Sequence, residues 1–518
     1  MRRPYRRRRP HPAALLCAAY AILLLCWGGA NPPFTAPDEW SHYLRALGVG
    51  SGAPIGPATA YPLPADASER TRRQYDWINQ AARLVPVPPG LLAANLDCNA
   101  GKVAQSAACL SALAPDPAAT RQVTPVGNYQ LLPYIGPGLA ARLARDPFTA
   151  DYAGRFAAGA TCWALLALAL ALLWTGHAPS LLGLLVAFTP MAAFLASSLT
   201  PSGVEIVAGL AFAAALLRLW RTPRPPAWVW LALGLTGCTL ALSRSTGALY
   251  VGIDLLIFGA LVGPRGLLQR LNAARLGAAL ATALLVGGAA LNQWWERAYG
   301  SKLHAERGEV LRELPAALHR LPSVLHEEIG VFGPLDTVLP PPLVASWAAL
   351  VVALLALALL VGTWHERAVL VATALGNLAV PIGFSMLLVS ATTFDVQGRH
   401  VLPLAVMVPL LAGELISRHR DRLPAAAMRA TVAALTLGIG LLHVAAWYWN
   451  GRRHAVGVAG RRWFIAQAAW SPPLGWTTWF VIAACGGLLW LLAALALRPH
   501  TPAEPTPAPN PAEPIRAP

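Results

Sequence analysis

PAALLCAAYAILLLCWGGANPPFTAPDEWSH, residues 12–42, decides how the rest of the chain is read. From Pro12 to Ala30 it carries no charged side chain, which meets the requirement of about 20 mostly apolar residues for a helix that crosses a bilayer. Pro32, Pro33 and Pro37 then stop the helix. Directly after them, Pro37-Asp38-Glu39-Trp40-Ser41-His42 places two adjacent carboxylates and an imidazole at the mouth of a membrane domain. A carboxylate beside hydrocarbon is costly and is kept for a use such as proton transfer, metal binding or a cationic partner. The plainer alternative is a solvated turn after a helix.

Composition extends the membrane reading to the whole chain. Of 518 residues, 56% are hydrophobic and 12% charged, and the mean hydropathy is +0.49, far more apolar than a soluble domain. The net charge of +16 invites a nucleic-acid partner. The arginines, however, cluster between apolar segments and beside the first one, as topogenic charge on the cytoplasmic side does, so no nucleic-acid partner is expected.

Apolar windows fall near residues 12–30, 155–174, 180–199, 203–220, 227–243, 247–263, 275–291, 343–362, 367–390, 401–417, 425–447 and 476–497, which predicts an all-α polytopic membrane protein of about twelve transmembrane helices. With the N-terminus inside, the connections Arg218–Arg224, Arg265–Arg275, His365–Arg367 and Arg418–Arg429 all become cytoplasmic. The same parity puts 31–154, 292–342, 391–400 and 448–475 outside, as four segments of one working face. Arg452, Arg453, Arg461 and Arg462 break the charge rule there, which suggests either contacts to lipid phosphate or a simple exception to the rule.

Residues 1–11 read as a basic cytoplasmic N-terminus, 12–497 as the transmembrane domain and the Pro-rich 498–518 as a disordered cytoplasmic tail. Arg2–Arg9 followed by an apolar run and Gly28-Gly29-Ala30 has the outline of a signal peptide. An uncleaved first helix is expected, because the rest of the chain is itself embedded. Of seven cysteines, five fall in or beside apolar runs, whereas Cys98 and Cys109 share the long outer loop, where a disulfide persists. Ser68–Leu84 in that loop is amphipathic and suited to lie along the interface.

Further outer clusters carry chemistry-bearing groups: Thr124-Pro125-Val126-Gly127-Asn128-Tyr129, Glu327-Glu328 followed by Phe332-Gly333-Pro334-Leu335-Asp336, and Phe394-Asp395-Val396-Gln397-Gly398-Arg399-His400. A guanidinium such as Arg399, at the boundary of an apolar helix, engages phosphate bidentately or snorkels to headgroups. Arg244 stands at another outer helix end, where it either faces the cavity or snorkels, and Ser197, Ser198, Thr200, Ser202 and Glu205 surround Pro201 in a polar kink that reads as structural. The sequence holds neither a P-loop nor a Rossmann glycine motif. If the outer face is catalytic, an activated compound already present there, such as a lipid-linked donor, must drive it.

Pro37-Asp38-Glu39 with His42, Tyr43 and Arg45-Ala46, together with Phe332-Gly333 and Gln397-Gly398-Arg399-His400-Val401-Leu402-Pro403, resembles a family of bacterial polytopic proteins catalogued as domain of unknown function 2142. Asn128-Tyr129, Pro133-Tyr134 and Ser198-Leu199-Thr200-Pro201 also resemble its pattern, and the likeness runs from about residue 12 to about residue 450. That family looks related to the type C (GT-C) glycosyltransferases, which take a sugar from a polyprenyl phosphate and carry an acidic motif in the first outer loop. His400 stands where a Tyr is more usual in the family.

The resemblance implies a GT-C-like fold in the cytoplasmic (inner) membrane of a bacterium. It places Asp38 and Glu39 at the catalytic acidic position, with His42, Arg45, Asn128, Tyr129, Gln397, Arg399 and His400 around the substrates. The implied partners are the lipid bilayer, a polyprenyl-phosphate sugar donor and an envelope glycan, glycolipid or protein acceptor. Two neighbouring carboxylates suit a general base as well as a partial site for a divalent cation such as Mg or Mn. A transporter or flippase for a polar lipid or oligosaccharide, and a non-enzymatic partner in envelope assembly, are the alternatives. The first calls for charges near the midplane and internal repeats, and no convincing repeat is visible.

Overall fold

The computed structural model describes residues 11–305 and 307–497; the basic run Arg2–Arg9 and the tail 498–518 lie outside the described residues. All twelve apolar windows are helical. Among the described residues ten helices are long and apolar enough to cross a membrane: α1 (Pro12–Ala30), α5 (Pro147–Leu173), α8 (Pro201–Arg221), α10 (Gly247–Ala273), α11 (Arg275–Tyr299), α14 (Pro341–Val361), α15 (Trp364–Thr392), the pair α16 (Gly398–Ala405) and α17 (Met407–Arg418) counted as one, α18 (Ala425–Val456) and α19 (Gly475–Leu497). An eleventh is a broken span, Ala178–Ala187 and α7 (Pro190–Ala196), bent by 73° at the break. Its first half ends in α6 (Leu182–Ala187). The twelfth window is α9 (Ala227–Ala241), apolar but short. The chain is therefore a multi-pass helical membrane protein.

Two spans form the centre of the bundle: α8 and the α16–α17 span are each 94% buried, against 22–56% for the others. Small residues let them approach. A methyl group at Gly209 of α8 would sit 2.7 Å from the Pro403 carbonyl oxygen of α16, so backbone meets backbone there, as is common between membrane helices. Large aliphatic side chains on the outer helices, such as Leu256, Leu276 and Leu360, stay exposed on the flank that hydrocarbon covers.

The basic connections meet at one end. Arg221 pairs with Glu414, Arg270 donates to the carbonyls of Leu219 and Trp220 at 2.8 Å, and Arg418 lies over the Trp220 ring. The four long polar segments meet at the other end. Residues 31–154 fold there into α2 (Glu39–Gly50), α3 (Glu69–Ala81), α4 (Leu132–Ala141) and an antiparallel ribbon of β1 (Arg83–Pro86) and β2 (Arg121–Thr124), with Arg83 opposite Thr124. Cys98 and Cys109 are disulfide-bonded, as their shared loop suggests. The bonded loop docks on the end of α18, where Asn99 accepts from Arg453 Nη1 at 2.8 Å. Arg453 also pairs with Asp336 at 2.7 Å, between β3 (Val331–Phe332) and β4 (Thr337–Val338). Arg452 donates to the carbonyls of Val458, Gly460 and Arg461. These two arginines are thus buried struts of the cap with intramolecular partners rather than contacts for lipid phosphate, whereas Arg461 and Arg462 are exposed.

The corner between α1 and α2 is set by one cation. Arg155 of α5 is completely enclosed, donating from Nε to Glu39 Oε1 at 2.8 Å, from Nη1 to the Asn31 carbonyl at 2.8 Å and from Nη2 to the Pro32 carbonyl at 2.6 Å. Asp151, one turn earlier on α5, lies 3.0 Å from its Nε. Removing one partner of such a buried group leaves charge unpaired at a cost of about 3–5 kcal/mol. Arg155→Ala is therefore expected to lower the thermal unfolding midpoint in detergent sharply and to cut the yield of monodisperse protein, whereas Asp38→Asn, next door in sequence, leaves both close to wild type. Equal stability of Arg155→Ala and wild type would refute the clamp.

Candidate functional site

At the polar end the segments enclose a cavity of about 920 Å³ lined by Asp38, His42, Asn128, Tyr129, Gln397, Arg399 and His400 among others. The cavity lies toward the large end of the range of about 300–1,000 Å³ for small-molecule sites. Seven of the nine residues expected from the sequence thus share one space, drawn from three segments far apart in the chain.

Asp38 is the residue before α2 and adopts a left-handed backbone, φ 56° and ψ 19°, which Asp tolerates better than most residues. It makes no side-chain cap to the helix; its carbonyl accepts from the amides of Ser41 and His42. The carboxylate is free to face the cavity, where its side chain is 59% exposed and Arg399 Nη2 approaches Oδ2 at 2.6 Å. Arg399 is fixed on its other edges by Gln397 Oε1, 2.6 Å from Nε, and by the Pro37 carbonyl, 3.2 Å from Nη1. Gly398 makes this possible: its amide donates to Glu327 Oε2 at 2.8 Å, and a Cβ there would lie 2.6 Å from the Val324 carbonyl oxygen on α13 (Leu314–Gly330). Only glycine lets the start of α16 pack this closely on α13 and carry Arg399 to Asp38.

Burial alone would raise the Asp38 carboxyl, but Arg399, helped by Arg244, overrides it and holds the group below the ordinary carboxylate range. Asp38 is therefore ionised at neutral pH. His42, one helical turn along, is pushed by burial down to about 3 and is neutral. Its Nδ1 lies 2.8 Å from the Tyr134 hydroxyl. Arg244 donates to Ser202 Oγ at 3.2 Å, lies 3.9 Å from Glu205 and stacks over the Tyr129 ring. Asn128 donates to the Tyr299 carbonyl at 2.9 Å and to Ser301 Oγ at 3.2 Å. His400 closes a capping box with Gln397 at the head of α16.

Two expected residues stand outside the cavity. Arg45 is fully buried behind it, donating to the Tyr129 carbonyl at 2.7 Å, and so buttresses the wall. Glu39 is also fully buried and turned away: besides Arg155 it accepts from the amides of Ala36 and Leu199, both at 2.9 Å. The two carboxylates thus point to different partners and do not converge as a pair. Among the described residues no group of three or more His, Cys, Asp or Glu side chains is placed to hold a metal ion. The donor set at Asp38 does not fit Mg or Mn.

Other lining residues were not singled out from the sequence. Arg70, Gln74 and Trp77, spaced four and three residues apart on α3, line the cavity. The helix that its amphipathicity suggested would lie on the membrane roofs the cavity instead, because Arg70 reaches the Thr393 carbonyl at 3.4 Å and Gln80 accepts from the Lys302 amide at 2.6 Å. Its helical spacing was the available signal. Leu249, Phe384, Leu387 and Leu388 make an apolar side between α10 and α15.

The family model described as "Predicted membrane protein (DUF2142)" matches residues 21–408, and the chain belongs to that family. No curated protein matches the sequence. Among solved structures, the crystal structure of ArnT from Cupriavidus metallidurans in the apo state is similar at 13% identity, over 93% of this chain and 76% of that one, with a TM-score of 0.39. That likeness is too distant to transfer a reaction.

Titrating the purified protein with Mn²⁺ while following the free-ion EPR signal is expected to reveal no stoichiometric tight site. A tight site that Asp38→Asn abolishes would contradict the geometry at the acidic corner.

Proposed function

We propose that this chain is an inverting glycosyltransferase that moves a sugar from a polyprenyl-phosphate donor to an acceptor hydroxyl on the extracytoplasmic face of a bacterial inner membrane. The observation that carries the reading is the Asp38–Arg399 pair in the cavity, an ionised carboxylate beside a fixed guanidinium. The motif resemblance to type C glycosyltransferases gives the same chemistry. Sidedness rests on the basic connections gathered at the opposite end, which the positive-inside rule assigns to the cytoplasm together with both termini.

The donor's lipid lies along Leu249, Phe384, Leu387 and Leu388, with its phosphate at Arg399 and Arg244. The acceptor oxygen attacks the anomeric carbon while its proton passes to an Asp38 carboxylate oxygen. The bond from the anomeric carbon to the phosphate oxygen breaks, and polyprenyl phosphate leaves with the bonding electron pair. A single displacement inverts the anomeric centre. The guanidiniums, held in place before the reaction, stabilise the growing phosphate charge. As phosphate engages Arg399, the ion pair to Asp38 loosens and the carboxylate becomes a stronger base. Neutral His42 offers a ring nitrogen to orient the acceptor, and Glu39 holds the corner. A transporter reading is less well supported, because the cavity sits at one end and the two central spans are sealed.

In proteoliposomes supplied with polyprenyl-phosphate sugars, Asp38→Asn is expected to lose about 100-fold or more in transfer, the scale of a general base. Full activity of this variant would sink the assignment. Arg399→Gln is expected to weaken turnover and also to shift the acid limb of the kcat/KM profile to higher pH. The largest of the charges that hold Asp38 down is then gone and its pKa rises, so activity disappears sooner as pH falls. An unmoved acid limb would show that Asp38 is not the titrating base.

A further inference from the structure

The cavity, about 920 Å³, is larger than one sugar phosphate requires, and beside the apolar side chains of α10 and α15 it has a wall of mostly polar groups. We propose that this wall, built from α3 and the segments around 128–130 and 296–301, is a saccharide subsite, so that the acceptor is the hydroxyl of a carbohydrate rather than of a peptide side chain or a lipid. The inference rests on the transferase reading for the word acceptor; the binding it describes does not.

Trp77 and Gln74 on one face of α3 stand over the cavity, with Gln130 and Glu296 lining it as well. Gln130 donates to Glu296 Oε1 at 3.2 Å. That bond fixes both planar groups while Gln130 Oε1 and Glu296 Oε2 have no hydrogen-bond partner among the described residues. A pyranose presents a C–H face that packs on an indole and a rim of hydroxyls that both donate and accept. An indole beside pre-oriented amide and carboxylate groups matches both surfaces.

The rival acceptors fit less well. A peptide is commonly held by hydrogen bonds to an exposed strand edge, yet none of the residues of the two ribbons, 83–86 with 121–124 and 331–332 with 337–338, lines the cavity. A lipid acceptor needs a second continuous apolar wall, whereas beyond the α10–α15 side aliphatic and phenyl lining is limited to Leu303, Leu335, Phe394 and Val396 among polar neighbours. The subsite is also rigid before any ligand arrives. Ser68 caps the start of α3, Asn79 accepts from the Tyr61 amide at 2.8 Å, and Gln80 ties the end of the helix to Lys302. Preorganisation of this kind lowers the cost of binding a flexible polar ligand.

The test is binding of the full-length protein, purified in nanodiscs, to an array of printed bacterial envelope oligosaccharides. Wild type is expected to bind at least one saccharide, Trp77→Ala to bind it about tenfold more weakly, the scale of one lost stacking contact, and Trp77→Phe to retain most of the affinity. Failure of wild type to bind any printed saccharide, or undiminished binding by Trp77→Ala, overturns the subsite. Saccharide binding alongside normal transfer by Asp38→Asn would instead leave the subsite standing and remove the proposed base.

Discussion

The polar end of this protein depends on the buried guanidinium of Arg155. Its donors reach the last carbonyls after α1, the first side chain of α2 and a carboxylate on its own helix, so three separate directions of the chain are fixed at one point. Glu39 carries the tie further by accepting from the Leu199 amide, which attaches the corner to the entry of α8. A single buried charge is unfavourable, but here it is matched by two carboxylates and by carbonyls that no secondary structure uses. The energy of the cluster is less important than its directionality. A guanidinium is planar, and its fork accepts only one arrangement of these partners.

That clamp divides the labour of two adjacent carboxylates. Successive residues entering a helix point about 100° apart, so when Glu39 is held toward Arg155, Asp38 must face elsewhere. The left-handed backbone at Asp38 completes the turn and delivers its carboxylate to Arg399. Neither residue type nor spacing reveals which of the pair faces inward. From the sequence both are acids after a membrane helix; in the fold one is part of the scaffold and the other faces the cavity.

This difference explains what was legible. Apolar length determines spanning helices almost locally, so all twelve windows appear as helices, and even the bent pair at 178–196 and the short α9 fall where hydropathy put them. Charge bias correctly grouped the connections into two ends, because topology is also a property of local composition. The cavity-lining motifs at Asp38, Asn128 and Arg399 were visible as polar clusters at span ends. Hidden were the partners. Arg453 looked like a misplaced surface charge because Asn99 and Asp336, its counterparts, lie hundreds of residues or over a hundred residues away. The amphipathic pattern of α3 read as an interfacial helix because the cavity its residues line is assembled by other segments.

The same logic accounts for the glycine between Gln397 and Arg399. A cation that meets an anion from a segment more than 300 residues earlier must be carried to a specified height above the bundle. α16 supplies that height only if its first turn sits directly on α13, and the Glu327 carboxylate receives the Gly398 amide at the contact. Any larger residue at 398 would lift the helix start by colliding with the Val324 carbonyl. Gln397 then binds Arg399 Nε and removes the freedom of its long side chain to turn toward headgroups. The three residues therefore act as a unit in which glycine sets position, glutamine sets orientation and arginine supplies charge. Arg155 does the corresponding service for Asp38 from the opposite side, and the ion pair forms where the two supports converge.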